Sequence, residues 1–211
     1  KGRNRLFTRN PEDILESKVY NERLIKRKGR EYRSWTPYRS KLSALILKKV
    51  DIDIKPDFNI LYLGAATGTT VSHISDILSK EGMIYAVENS AVSMKKLIEV
   101  CKKRKNIIPI FEDAFHFEKY KSIVPNVDFI YQDISQRNQS EIFIENIKNF
   151  LKKEKKAVLM VKARSIDVSL KPKKAYEKVE NELKSAGLKI DKTVELSPYE
   201  KDHAAIIIRY I

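Results

Sequence analysis

Cysteine is nearly absent: one residue, Cys101, in a chain of 211. A lone thiol excludes a disulfide framework and a cysteine zinc cluster, and it suits a cytosolic setting. Histidine is scarce as well, three residues scattered along the chain, so no metal-ligand cluster is expected. No apolar run is long enough to cross a bilayer. The first residues, KGRNRLFTRN, are basic with no apolar segment behind them, so no signal peptide is expected. Internal repeats and low-complexity tracts are lacking too. Positive charge, by contrast, is in excess. Forty-two Lys and Arg against 28 Asp and Glu give a net charge of +14 and a pI near 9.6. A solvated Lys/Glu surface of the thermophile kind is usually closer to balance. An excess this large attracts polyanions and points to nucleic acid.

The length allows one α/β domain with an appendage. Residues 1–35 hold short β-like runs, RLFT, ESKVY, RLIKRKG and EYRSW, and read as a small antiparallel region low in core formers. Residues 36–211 read as the main domain. PYRSKLSALILKKV (37–50) has helical spacing, with Pro37 near its start. Apolar runs at 58–63, 83–87, 107–111, 127–132 and 157–162 then alternate with helical stretches near 70–80, 91–104, 138–152 and 172–186. Continuous apolar strands between helices predict a mostly parallel sheet covered on both faces. The last two runs, 188–196 and 204–211, are joined only by SPYEKDH, which is too short for a helical crossover. They are therefore expected to be antiparallel. The runs RLIKRKGREYR (23–33) and KKRK (102–105) could hold phosphates but cannot read bases, and KKEKK (152–156) reads as a solvated face.

LYLGAATGTTVSHI (61–74) places a glycine turn, Gly64 to Gly68, between a strand and a helix. No Lys follows Gly68 as a P-loop needs, and the spacing is not G-x-G-x-x-G. The next three strand runs each end in an acid: Glu88, Asp113 and Asp133. In open α/β sheets the ligand crevice lies beyond the carboxyl ends of the strands. Glu88 is placed to accept from ribose hydroxyls and Asp113 from an adenine amino group. Three carboxylates would repel a pyrophosphate but suit a sulfonium, which favours S-adenosylmethionine over a nicotinamide dinucleotide.

The sequence resembles fibrillarin, in its archaeal form an RNA 2′-O-methyltransferase. The resemblance rests on WTPYRSKL (35–42), YLGAATGTTVSHISDI (62–77), YAVENS (85–90), NIIPIFEDA (106–114), VDFIYQDISQ (127–136), VKARSIDV (161–168) and LSPYEKDHA (196–204). It implies a Rossmann-like methyltransferase sheet with an antiparallel C-terminal strand and a small N-terminal β region. S-adenosylmethionine is the implied methyl donor. Gly64 and Ala65 would then belong to the cradle, with Thr69 and Thr70 at the methionine end. Glu88 and Asn89 would border ribose and adenine, and Asp113 and Ala114 the adenine edge. Asp133, Ile134, Ser135 and Gln136 would line the crevice near the sulfonium. Two positions depart from the family pattern: Asn89, where an aromatic residue is common, and Arg137–Asn138, where Pro is usual.

The same resemblance supplies a catalytic tetrad, Lys41, Asp133, Lys162 and His203. Asp133 and Lys162 end two strands expected to be neighbours, and Asp133 is the expected partner of the Lys162 ammonium. His73 is read as packing or bonding within its own helix. Without an appended RNA-recognition module, target choice is expected to lie elsewhere. The resemblance implies a C/D box guide RNA paired to ribosomal or transfer RNA. It also implies docking through a coiled-coil scaffold of the Nop family, with a kink-turn-binding protein alongside. A nicotinamide oxidoreductase, a non-enzymatic RNA scaffold and a small-molecule O-methyltransferase are the competing classes. NADH titration, donor calorimetry and assays on naked nucleosides separate them.

Overall fold

A strand with no polar alternation needs cover on both of its faces. The computed structural model, which describes residues 5–211, builds that cover from helices. The first strands are β1 (Leu6–Arg9), β2 (Leu24–Arg27) and β3 (Arg30–Trp35), followed by α1 (Lys41–Leu47). The alternating part runs β4 (Asn59–Leu63), α2 (Thr69–Ile77), β5 (Met83–Glu88), α3 (Ala91–Lys103), β6 (Ile107–Phe111) and β7 (Val127–Gln132). It continues through α4 (Gln139–Phe150), β8 (Leu151–Lys162), α5 (Ala163–Ile166), α6 (Pro172–Ser185), β9 (Lys189–Glu195) and β10 (His203–Arg209).

Seven strands form one sheet in the order β6-β5-β4-β7-β8-β10-β9. The pairs among β4 to β8 are parallel, and β10 runs antiparallel to both β8 and β9. The expected final antiparallel pair is present, with β10 inserted between β8 and β9. Strand order reverses between β4 and β7, which opens the crevice at their carboxyl ends. One face of β4 turns Leu61 and Leu63 toward Ile142, Phe143 and Val179, in the layer of α4 and α6. The other turns Ile60 and Tyr62 toward Leu45, Val71 and Leu97, in the layer of α1, α2 and α3.

Several boundaries differ from expectation. α1 begins at Lys41 rather than near Pro37, because the Ser40 side chain accepts the Ser43 N–H and caps the helix. KKEKK belongs to strand β8, its side chains partly solvated as expected, with Lys152 and Lys155 reaching Asp128 at 2.9 and 3.6 Å. ESKVY is not a strand: the N–H groups of Val19 and Tyr20 turn to the Glu22 carboxylate.

The N-terminal region is a three-stranded antiparallel sheet, β1-β3-β2, whose first four residues lie outside the described part. It meets α2 through a polar interior. Arg33, fully buried, donates to Glu22 at 2.7 Å and to Asp76 at 2.7 Å. Arg104 reaches the other oxygen of Asp76 at 2.9 Å. His73 packs, its buried ring stacked on Trp35 with centroids 4.9 Å apart, and its hydrogen bonds leave the helix: its two nitrogens lie 2.7 Å from the Thr8 hydroxyl and 2.6 Å from the Tyr20 hydroxyl. Burying two guanidiniums is tolerable only with partners of this kind.

Candidate active site

The glycine turn is held by the protein's own groups. Gly64 N–H and Ala65 N–H both donate to Val87 C=O, at 2.9 and 3.0 Å, and Gly68 N–H donates to Ala65 C=O at 3.1 Å. Ala66 N–H donates to Glu88 at 2.7 Å. Four donors that would cradle a phosphate are thus engaged, which argues against a pyrophosphate in this turn. Gly64 itself is dictated by close approach. Its φ is +83°, and a Cβ there would stand 2.4 Å from Asp133 C=O. The glycine lets the end of β4 lie against the end of β7, and Asp133 N–H closes the contact on Leu63 C=O at 2.9 Å.

Around this seam stand the three expected acids. Glu88 ends β5 and takes Ser90 N–H at 2.7 Å on its second oxygen. Asp113 follows β6 and takes Phe115 N–H at 2.9 Å, Asn89 at 3.3 Å and Gln136 at 3.2 Å. Partial burial works to raise the Asp113 pKa, but these donors outweigh it and hold the carboxyl below its ordinary value. Asn89, Asp113 and Gln136 thereby tie the loops after β5, β6 and β7 together, with Ala114 buried behind them. Asp133 follows β7 directly. Each carboxylate keeps lone-pair positions open for a ligand. A crevice rich in acceptors, beside a turn whose donors are engaged, fits a cationic adenosyl ligand.

The sheet's pleat places the tetrad. Val158 and Met160 face the α1–α3 layer, so Lys162, two residues on, falls on the same face. Phe129 and Tyr131 put Asp133 there, and Ala205 puts His203 there. In the β8–β10 register His203 stands opposite Lys162. Asp133 takes its ion pair from Lys41, at 2.8 and 2.9 Å on its two oxygens, and not from Lys162 as expected. α1 explains the exchange. Thr70, in the first turn of α2, donates to Ser40 at 2.9 Å and holds the start of α1 over the sheet edge. The first residue of that helix is Lys41. His203 Nδ1 lies 2.7 Å from Lys201 C=O.

Three site-forming residues escaped the sequence reading. Ser40 has a legible signal, a Ser immediately ahead of an apolar-periodic run. Tyr62 and Tyr131 lie beneath Asp133, fully buried or nearly so, with ring centroids 4.7 Å apart. Burial drives both phenols well above their ordinary pKa, and the charge of Asp133 adds to this. Within apolar strand runs they read only as core.

The fibrillarin family model matches residues 1–211. The chain belongs to the fibrillarin family. A fibrillarin-like rRNA/tRNA 2′-O-methyltransferase of Thermococcus sibiricus is 43% identical over 209 residues, covering 99% of this chain and 91% of the relative. The solved structure of Aeropyrum pernix fibrillarin with natively bound S-adenosyl-L-methionine superposes with a TM-score of 0.87 at 40% identity, covering 95% of this chain and 87% of that one. A fibrillarin/Nop5p complex superposes with the same TM-score at 46% identity, covering 94% and 92%. The fibrillarin fold expected from the sequence, a mostly parallel sheet with an antiparallel C-terminal strand and a small N-terminal β sheet, is the fold found.

Proposed function

We propose that this chain transfers the methyl group of S-adenosylmethionine to ribose 2′-hydroxyls of ribosomal and transfer RNA. The observation that carries the reading is the Lys41–Asp133 ion pair at the end of β7, beside an acid-rich crevice. The printed activity of the Thermococcus sibiricus relative and the donor bound to the Aeropyrum pernix protein support it. When bound, S-adenosylmethionine supplies an already activated methyl group. Gly64, Ala65, Thr69, Thr70, Glu88, Asn89, Asp113, Ala114 and the stretch Asp133–Gln136 would hold it. The remaining work for the protein is alignment and removal of one proton. A ribose hydroxyl is a weak nucleophile near neutral pH. Asp133, its direction fixed by two hydrogen bonds from Lys41, orients that hydroxyl and accepts its proton. Lys162 offers positive charge to the oxygen as the proton leaves, and His203 anchors the ribose and its phosphate.

In this reading residues 1–35 prop the methyltransferase domain of residues 36–211. Target choice belongs to a C/D box guide RNA, with a Nop-family scaffold docking the enzyme and a kink-turn-binding protein acting indirectly, in the cytoplasm of an archaeal cell. The known fibrillarin/Nop5p complex supports the scaffold. Methyl incorporation into target RNA, measured with and without a complementary guide and the scaffold, tests this. Site-specific incorporation only in the assembled particle is expected. Efficient sequence-specific methylation by the chain alone would overturn it.

A further inference from the structure

Tyr38 is 61% exposed, yet it is not a loose side chain. Its ring packs edge-to-face on Tyr199, with centroids 5.8 Å apart and planes at 71°. Tyr199 in turn is half-buried against the α1–α3 core layer. The two tyrosines come from the two segments that deliver candidate catalytic groups: Tyr38 lies three residues ahead of Lys41, and Tyr199 four ahead of His203. The Tyr199 loop is anchored by its backbone, because Tyr199 N–H donates to the C=O of buried Leu196 at 3.0 Å. Each tyrosine has an exposed cation within two residues, Arg39 beside Tyr38 and Lys201 beyond Tyr199. The result is an aromatic pair beside the site, pinned before any ligand arrives, with one exposed cation near each ring: Arg39, whose guanidinium lies 5.5 Å from the Tyr20 ring, and Lys201, set between Glu200 and Asp202. Pinning lowers the ordering cost on binding.

We infer that Tyr38 and Tyr199 form a subsite for the ribose of a nucleotide adjacent to the acceptor on the target RNA strand. This rests on the methyltransferase reading above. Ring faces pack on the sugar, the Tyr38 hydroxyl pairs with that ribose's 2′-hydroxyl, and Arg39 and Lys201 take the flanking phosphates. A sugar contact is the contact such an enzyme needs. Where pairing to a guide chooses the target, the protein's own grip must accept every base. Ribose and phosphate are common to all nucleotides, and A-form duplexes display their 2′-hydroxyls in a wide, shallow minor groove. The 2′-hydroxyl also tells RNA from DNA, which a phosphate contact does not.

The test uses the particle assembled with guide RNA and scaffold, on target strands carrying either ribose or 2′-deoxyribose at the nucleotides flanking the acceptor, whose own 2′-hydroxyl is kept. With the native chain, one flanking deoxy substitution should raise the target KM about five-fold, the size of one neutral hydrogen bond. Tyr38→Phe should raise KM by about the same factor on the all-ribose strand and be indifferent to the deoxy substitution. Tyr38→Ala should raise it further, by about ten-fold or more, through lost ring contact. Donor affinity measured by calorimetry on each variant checks folding. A Tyr38→Phe chain that remains as sensitive to flanking deoxyribose as the native one, or a native chain indifferent to it, overturns the subsite. Absence of methylation of the all-ribose strand by the native particle would instead overturn the reading beneath it.

Discussion

At the scale of the residue, charge placement decides what each group can do. Lys41 and Lys162 end up on the same face of the sheet, but only Lys41 is engaged with Asp133. That leaves Lys162 as the cation available to an oxygen losing its proton. Lys162→Ala should lower methylation by about 100-fold or more, as loss of one charge-stabilising donor does. Donor binding by calorimetry should change little, and a variant with native turnover would refute the assignment. His73 is the other residue whose charge state carries a consequence. Its neutral ring can satisfy three of the four contacts made by Thr8 and Tyr20 with the ring, Asp76 and Ser34, because whichever hydroxyl faces the unprotonated nitrogen has one proton for two acceptors. An imidazolium would satisfy all four. Full burial, with Arg33 and Arg104 nearby, decides against it and pushes the His73 pKa down to about 2. In the unfolded chain the ring protonates near its ordinary value of about 6.5. Below that pH the unfolded state holds one more proton, so the stability present above it is lost as pH falls, by about 1.4 kcal/mol per pH unit. Unfolding free energies measured on the native chain and on His73→Gln should differ in slope by one proton below that pH. Parallel curves would contradict the buried neutral ring.

Elements are held to one another by polar as well as apolar contacts, and the N-terminal sheet shows this most clearly. Its β3 strand carries Arg33 into the interface with α2, where Glu22 and Asp76 receive it with no solvent exposure. Arg33→Met should cost about 3 kcal/mol in urea unfolding, because two carboxylates would lose a buried partner. A loss well under 1 kcal/mol would mean the cluster is not load-sharing. This cluster was illegible in the sequence. The partners lie 11 and 43 residues from Arg33, and a buried arginine has the same signature as any basic residue in a chain of charge +14. The parallel strands β4 to β7, by contrast, were legible almost to the residue, whereas β8 starts at Leu151, ahead of its apolar run at 157–162. Ile60 to Leu63 are apolar at successive positions, a pattern only a doubly covered strand requires. The antiparallel β10 followed from a loop too short to cross. Of the site, the strand-end acids were legible because parallel strands all end at one edge. The Lys41–Asp133 pairing was not, since it depends on a hydrogen bond between Thr70 and Ser40 that no spacing records.

On the scale of the whole molecule, an excess of 14 positive charges sits on a scaffold whose crevice is lined by acids. The two are complementary in purpose: the acids suit a cationic donor, and the outer surface suits RNA. Binding of the isolated chain to RNA should be weak and steeply salt-dependent. With about four phosphates neutralised on a single strand, log K should fall against log salt with a slope of about −3. Fluorescence anisotropy across a salt series measures this, and salt-insensitive binding would contradict an electrostatic grip. The central claim is that Asp133, held by Lys41 at the carboxyl edge of the sheet, serves methyl transfer to a ribose oxygen. The most direct test is labelled methyl incorporation by the assembled particle, mapped within the RNA, for the native chain and Asp133→Asn. The account predicts label on a single 2′-oxygen of the guided target. It further predicts loss of about 100-fold or more in the variant, a loss larger than any fall in donor affinity. Label on a base, or an Asp133→Asn chain that turns over at the native rate, would contradict it.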